Sequence, residues 1–222
     1  MTDAVVFDMD GVLIDSEHVW ASEREALVRE RGGTWLDEAN HAMMGMSSLE
    51  WSRYMREDLR VDMTPEEISR EVVARLERKY REQLPLLPGA REAVESLAAQ
   101  WPLGVASSAN RELIDLVLEL ADLQRHFAAT VSSEEVARGK PAPDVYLEAA
   151  RRLGVAADRC VAIEDSASGI RAAAAAGMRV IAYPNPHFPP GEDALALASA
   201  TISSLDELVA VPGEVHVVLG RT

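Results

Sequence analysis

From residue 84 onward, short apolar runs alternate with helical segments, and this alternation constrains the fold more than any other feature of the chain. Runs at 103–106, 128–131, 160–163 and 180–182 are each too short for a helix and too uniformly apolar for a half-exposed strand. Between them lie helical patterns near 90–100, 110–121, 143–153 and 166–176, the last Ala-rich and closed by Gly177. Such alternation implies right-handed β-α-β crossovers and a doubly wound, Rossmann-like parallel sheet. The N-terminal run Ala4-Val5-Val6-Phe7, cut off by Asp8-Met9-Asp10-Gly11, reads as a further buried strand. Residues 200–210 are expected to add a last strand and a short helix.

Between that first run and the alternating region, the pattern changes. Val19, Leu27 and Val28, then Leu49, Tyr54 and Met55, then Ile68, Val72 and Leu76 recur at helical spacing among charges. Thr64-Pro65-Glu66-Glu67 carries an N-cap, a proline at the first helical position and acids in the first turn. Pro85, Pro88 and Gly89 punctuate the return. The expected organisation is an α/β catalytic core of residues 1–15 and 84–222, interrupted by a helical cap of residues 16–83. Ligands of such sheets bind at the carboxyl ends of the strands, so a module inserted after the first strand overhangs that crevice as a lid.

Composition narrows the function. With 22 Lys plus Arg against 37 Asp plus Glu, the formal net charge is −15, which disfavours nucleic acid and anionic membrane as partners. Aromatic residues are only 5% of the chain, too few for a base-stacking platform. Cys160 is the one cysteine, so no intrachain disulfide forms, and its apolar surroundings mark it as a buried structural thiol. With no basic-then-apolar leader and no 18-residue apolar stretch, a cytoplasmic protein is expected, and it is also expected to be a monomer.

Polar residues follow the predicted strands in four sets: Asp8 and Asp10; Ser107 and Ser108; Lys140 in Gly139-Lys140-Pro141; Glu164 and Asp165. Taken singly, an acid or hydroxyl at a strand end is usually a helix cap or turn residue. Taken together, all open onto one edge of one sheet. Four carboxylates with a lone lysine do not share a pocket without a cation, because like charges a few ångströms apart force protonation. Oxygen donors with no His or Cys nearby select a hard ion, and Mg²⁺ suits a phosphate site.

These residues resemble the haloacid dehalogenase superfamily over nearly the whole chain. The run from Phe7 to Ser16 is similar to its Asp-x-Asp-Gly motif, Val105-Ala106-Ser107-Ser108 to its second, the Gly139-Lys140-Pro141 turn to its third, and Ile163-Glu164-Asp165-Ser166 with Gly169 to its fourth. The small helical insertion and the Leu87-Pro88-Gly89 return resemble the branch containing β-phosphoglucomutases and sugar-phosphate phosphatases. The resemblance implies that Asp8 attacks phosphorus to form an aspartyl phosphate, and that Asp10 protonates the leaving oxygen and later takes a proton from water. It implies Mg²⁺ bound by Asp8, Asp10 (through its backbone carbonyl) and Asp165, with Glu164 a ligand through water or a supporting acceptor. Ser107, Ser108 and Lys140 are then substrate-binding, Ser107 and Lys140 holding the transferring phosphoryl group. Asp10 argues against dehalogenation, since a halide leaves without an acid.

In the cap, Trp20 stands where mutase members carry a histidine, and the loop Met43-Met44-Gly45-Met46-Ser47-Ser48 holds neither of their basic residues. Trp20 and Gly45, with Met44, Met46 and Trp51, are expected to face the substrate as an uncharged, apolar lid. Trp51 serves equally well as cap core. The leading expectation is a phosphatase of small phosphorylated metabolites, sugar or polyol phosphates above all. The alternatives are a β-phosphoglucomutase-type mutase, for which Arg53 or Arg56 would have to supply the missing cap cation, and a non-catalytic phosphate-sensing protein.

Overall fold

The computed structural model describes residues 1–186, 188–211 and 213–217. Strand β1 (Ala4–Phe7) is wholly buried, as the uninterrupted apolar run requires of a strand covered on both faces. It pairs in parallel with β2 (Leu103–Ser107) on one side and β4 (Cys160–Glu164) on the other. With β3 (Phe127–Ser132), β5 (Arg179–Ala182) and β6 (Ala200–Thr201), the sheet has the order β3-β2-β1-β4-β5-β6. The order reverses at β1, so the carboxyl ends of β1, β2 and β4 flank the switch point.

Helices α5 (Ala90–Ala98) and α6 (Arg111–Leu120) bury one face of this sheet. Helices α7 (Asp144–Leu153) and α8 (Ala167–Ala175) bury the other. The apolar sets agree with that division: Leu113, Ile114 and Val117 line the α6 side, Tyr146, Ala149, Ile170 and Ala173 the opposite one. After α8, Gly177 takes a left-handed φ of +83°, a conformation open to glycine at little cost.

Four helices lie between β1 and α5, with no strand among them: α1 (Glu17–Glu30), α2 (Ala39–Met43), α3 (Ser48–Glu57) and α4 (Pro65–Glu82). The start of α4 follows its sequence. Thr64 Oγ1 accepts from the Glu67 amide at 3.3 Å while the Glu67 carboxylate accepts from the Thr64 amide at 2.9 Å, a reciprocal capping box. Trp51, Met55, Ile68, Val72, Leu76 and Tyr80 bury the facing sides of α3 and α4. The short α2 falls in a stretch with too few apolar repeats for periodicity to reveal it.

Within residues 200–210 the expected last strand is present and the expected short helix is reduced to one 3₁₀ turn, with an unexpected further strand after it. After the two-residue β6 comes a single 3₁₀ turn at Leu205–Glu207. Strands β7 (Leu208–Val211) and β8 (Glu214–Val217) then pair antiparallel as a separate hairpin. No helix among the described residues is long and apolar enough to cross a membrane.

Candidate active site

Asp8 leaves the sheet as the residue after β1, its amide still bonded to the Ile163 carbonyl at 3.0 Å. Its carboxylate is therefore fixed at the switch point. Oδ1 accepts from the Met9 amide at 2.7 Å, and Oδ2 lies 2.9 Å from Lys140 Nζ. The same ammonium donates to Glu164 Oε1 at 2.6 Å. Tyr146 Oη donates to that oxygen at 2.8 Å, and the amide and hydroxyl of Ser166 both donate to Glu164 Oε2 at 3.1 Å. Glu164 thus stands at the end of β4 with both oxygens already engaged, and none of it is exposed. Asp165, one residue on, faces the cleft.

Carboxylate oxygens of Asp8, Glu164 and Asp165 all lie within 4.8 Å of one another. Burial raises the Asp8 carboxyl well above its ordinary range; Lys140 opposes the rise, while Glu164 and Asp10 add to it. Asp165 is likewise raised well above its ordinary range, by burial and then by the charges of Glu164 and Asp8. Burial pushes Glu164 up as well, but its ion pair and hydrogen bonds with Lys140 outweigh this and hold it below the usual range. Lys140 sits above its ordinary value, since the attraction of Asp8 and Glu164 exceeds the effect of burial. Three buried carboxylates against one ammonium leave a negative excess. An all-oxygen donor set with that excess fits a hard divalent cation, whose binding relieves the same repulsion.

Two glycines make the cluster possible. Gly11 has φ +76°, and a Cβ there would stand 2.0 Å from Asp165 Oδ2. Gly169, in the first turns of α8, is tighter still: a Cβ would meet Glu164 Oε1 at 1.6 Å and Cδ at 1.9 Å. Glu164 is held by four hydrogen bonds and cannot give way cheaply. Gly169→Ala is expected to destabilise the protein by about 1–3 kcal/mol, measured by urea unfolding. A change below about 0.5 kcal/mol is the outcome that this packing excludes.

Asp10 points toward the helical insertion. Its Oδ1 accepts from Ser16 Oγ at 2.5 Å and from the indole Nε1 of Trp20 at 3.2 Å. Ser107 Oγ lies 3.5 Å from Asp10 Oδ2, at the limit of a hydrogen bond, and accepts from the Ala109 amide at 3.0 Å. Ser107 is fully buried and stands behind the cleft wall, whereas Ser108 lines the cleft. Ser108 Oγ donates to the Gly45 carbonyl at 3.3 Å. Gly45 itself, at φ +72°, passes so close to α8 that a Cβ would stand 2.4 Å from Ser168 Oγ.

The cleft has a volume of about 420 Å³ and is walled by Asp8, Asp10, Lys140 and Asp165 below, and by Trp20, Gly45, Met44, Met46 and Trp51 above. All but two of the site residues expected from sequence border it; Ser107 and Glu164 lie just behind. The upper wall is not uncharged, however. Arg24 and Glu17 line it too, and Arg24 Cζ stands 4.4 Å from the Trp20 ring centroid and 4.9 Å from that of Trp51. Trp20 is no purely apolar lid residue, since it donates to Asp10. Arg53 and Arg56 are exposed and take no part in the cleft wall. Two features escaped the sequence reading. Glu17, Trp20 and Arg24 share one face of α1 at i, i+3 and i+7 spacing, a signal present in the sequence. The proline-rich loop supplies Asn185, Phe188, Pro189 and Pro190 to the cleft rim, and His187 lies outside the described residues.

A family model described as haloacid dehalogenase-like hydrolase matches residues 2–177. The chain is 37% identical over 218 residues to hexitol phosphatase B of Escherichia coli strain K12, covering 93% of this chain and 94% of that one. It is 33% identical to the phosphorylated carbohydrates phosphatase of Thermotoga maritima, covering 81% of this chain and 83% of the relative. Among solved structures, CbbY from Rhodobacter sphaeroides in complex with phosphate superposes with a TM-score of 0.82 at 26% identity, covering 93% and 96% of the two chains. The match over most of the chain, the sheet order and the carboxylates at the switch point agree: this protein belongs to the haloacid dehalogenase-like hydrolases.

Proposed function

We propose that this hydrolase is a cytoplasmic, monomeric, Mg²⁺-dependent phosphatase of small phosphorylated metabolites, sugar or polyol monophosphates, working through an aspartyl phosphate on Asp8. The observation that carries this reading is that Asp8, Asp10, Lys140 and Asp165 all border one cleft. The relatives named for hexitol and carbohydrate phosphates support the substrate class.

In this mechanism Asp8 attacks phosphorus, and the P–O bond to the substrate's alcohol oxygen breaks. Asp10 gives that oxygen its proton and then accepts one from the water that cleaves the aspartyl phosphate. Its grip by Ser16 and Trp20 keeps the carboxyl aimed into the cleft from the cap side. Lys140 and Ser108 hold phosphoryl oxygens, and Ser107 supports Asp10 and the Ala109 turn behind them. Asp8, Asp165 and the Asp10 carbonyl would hold Mg²⁺, with Glu164 anchoring Lys140 beside them. The ion, when bound, neutralises charge on the transferring group. Residues 16–83 act as the lid, with Gly45 against Ser108 at its closing edge.

A mutase reading gains one observation, since Arg24 puts a cation on the cap wall. Glu17 lines the same wall and repels a second phosphate dianion, so hydrolysis remains the better reading. The test is phosphate release from a panel of hexose and hexitol monophosphates. Activity is expected to vanish with EDTA, to return with Mg²⁺, and to show no activation by glucose 1,6-bisphosphate. Undiminished turnover in metal-free enzyme contradicts the metal assignment. Isomerisation of β-glucose 1-phosphate faster than phosphate release contradicts the phosphatase assignment.

A further inference from the structure

Arg24 is the one buried arginine of the cap, 5% exposed, and it is paired unlike the chain's other buried charges. Lys140 is paired with both Asp8 and Glu164, and even the half-buried Arg75 is bound by Glu30 and Glu71. Among the described residues, no acceptor hydrogen-bonds the Arg24 guanidinium and no carboxylate lies within ion-pair distance; its Nε is an orphaned buried donor. What it has instead is the π faces of Trp20 and Trp51. Cation–π contact takes up the charge and leaves the N–H donors unsatisfied. Across the same wall, Glu17 is held by a side-chain hydrogen bond with Asn40 and drawn to the Arg24 charge, while its Oε1 remains a buried acceptor atom without a partner. Buried polar groups without partners are rare, and here a donor and an acceptor occur together on the wall of the cleft that holds Asp8.

We propose that Arg24 and Glu17 form a cap subsite for neighbouring hydroxyls on the carbon chain of the phosphorylated substrate, and so select polyhydroxylated monophosphates. The proposal rests on the phosphatase reading of the cleft and names the part of the substrate that the cap reads. A hydroxyl both donates and accepts, which is what a guanidinium beside a carboxylate can satisfy at once. A second phosphate or a carboxylate would satisfy Arg24 but meet the charge of Glu17. An aromatic or short acyl phosphate would leave both orphans buried. Burial pulls the Arg24 guanidinium down to about 10, with Glu17 and Asp10 opposing, so it remains a cation at neutral pH. Trp20 also connects the subsite to the chemistry, because the indole under Arg24 donates to Asp10.

Binding to the Asp8→Asn protein, which does not turn over, separates this subsite from catalysis. Calorimetry is run with sorbitol 6-phosphate and with inorganic phosphate, which has no carbon chain. The sugar phosphate is expected to bind at least about tenfold more tightly, and Arg24→Met to reduce that ratio by about tenfold or more. Arg24→Lys, keeping the charge but not the fork, is expected to recover part of the ratio. Should Arg24→Met fail to fold, Glu17→Gln gives the same readout, with a lowered ratio expected. Equal weakening of both ligands in the folded variant, or a parent that binds sorbitol 6-phosphate no better than phosphate, overturns the subsite. Failure of the native enzyme to release phosphate from sorbitol 6-phosphate, with the binding ratio intact, counts against the phosphatase reading and leaves the subsite standing.

Discussion

Asp8→Asn is expected to lower phosphate release by about four orders of magnitude or more while leaving the fold intact. The amide keeps the shape of the side chain but has no anionic oxygen to attack phosphorus. What remains is positioning by Lys140 and the neighbouring donors, which in other covalent mechanisms leaves only a small residue of the rate. The same variant has an opposite effect on stability. In the native chain the Asp8 carboxyl lies well above its ordinary value of 3.8, chiefly through burial. The folded state therefore holds a proton that the unfolded chain releases, so stability is present below the unfolded pKa and is lost as pH rises through the folded one. Asparagine has no proton to lose. In EDTA, Asp8→Asn is expected to exceed the native protein in stability at pH 8, with the gap closing as pH falls toward 4. Urea titrations at the two pH values check this, and a native protein more stable than the variant at pH 8 contradicts the assignment.

Lys140→Met is expected to cost both stability and rate. Lys140 is 5% exposed and is the one cation in ion-pair contact with Asp8 and Glu164 among the described residues. Methionine fills most of its volume but leaves three close carboxylates with no compensating charge. Removing one partner of a buried ion pair typically costs about 3–5 kcal/mol, and the like charges left behind push the loss toward the upper end. Loss of a phosphoryl-oxygen donor is expected to lower turnover by a further factor of about 10²–10³. Acid should rescue part of the stability, because protonation of the carboxylates removes the charge that Lys140 balances. Urea unfolding at pH 5 and pH 8 measures both terms. A loss under about 1 kcal/mol at pH 8 contradicts a central electrostatic role for this lysine.

Most of the architecture that positions these residues was legible because strands covered on both faces must be apolar throughout. Ala4–Phe7 and Cys160–Glu164 have that character, and the acid after each marks the sheet edge. Thr64-Pro65-Glu66-Glu67 disclosed a helix start through local chemistry alone. The five-residue α2 is too short to set a period, and the β7–β8 hairpin was missed although Leu208–Val211 is apolar throughout and Glu214–Val217 alternates. Depth was harder to read than position. Ser107 and Ser108 are adjacent, yet one is sealed behind the wall and the other lines the cleft, because side chains alternate along a strand end. Glu164 and Asp165 divide in the same way. Arg24 stayed hidden for a different reason: its helix face is plain in the sequence, but which face turns toward Asp8 depends on how the inserted helices pack.

Phosphoryl transfer to Asp8 is most directly tested by rapid quench of the Mg²⁺-loaded enzyme with a ³²P-labelled hexitol phosphate, followed by peptide mapping. Label is expected on the N-terminal peptide, at Asp8, with the hydroxylamine sensitivity of an acyl phosphate, and absent from Asp8→Asn. Label on any other side chain, or sustained phosphate release by Asp8→Asn at a rate near that of the native enzyme, contradicts nucleophilic catalysis by this residue.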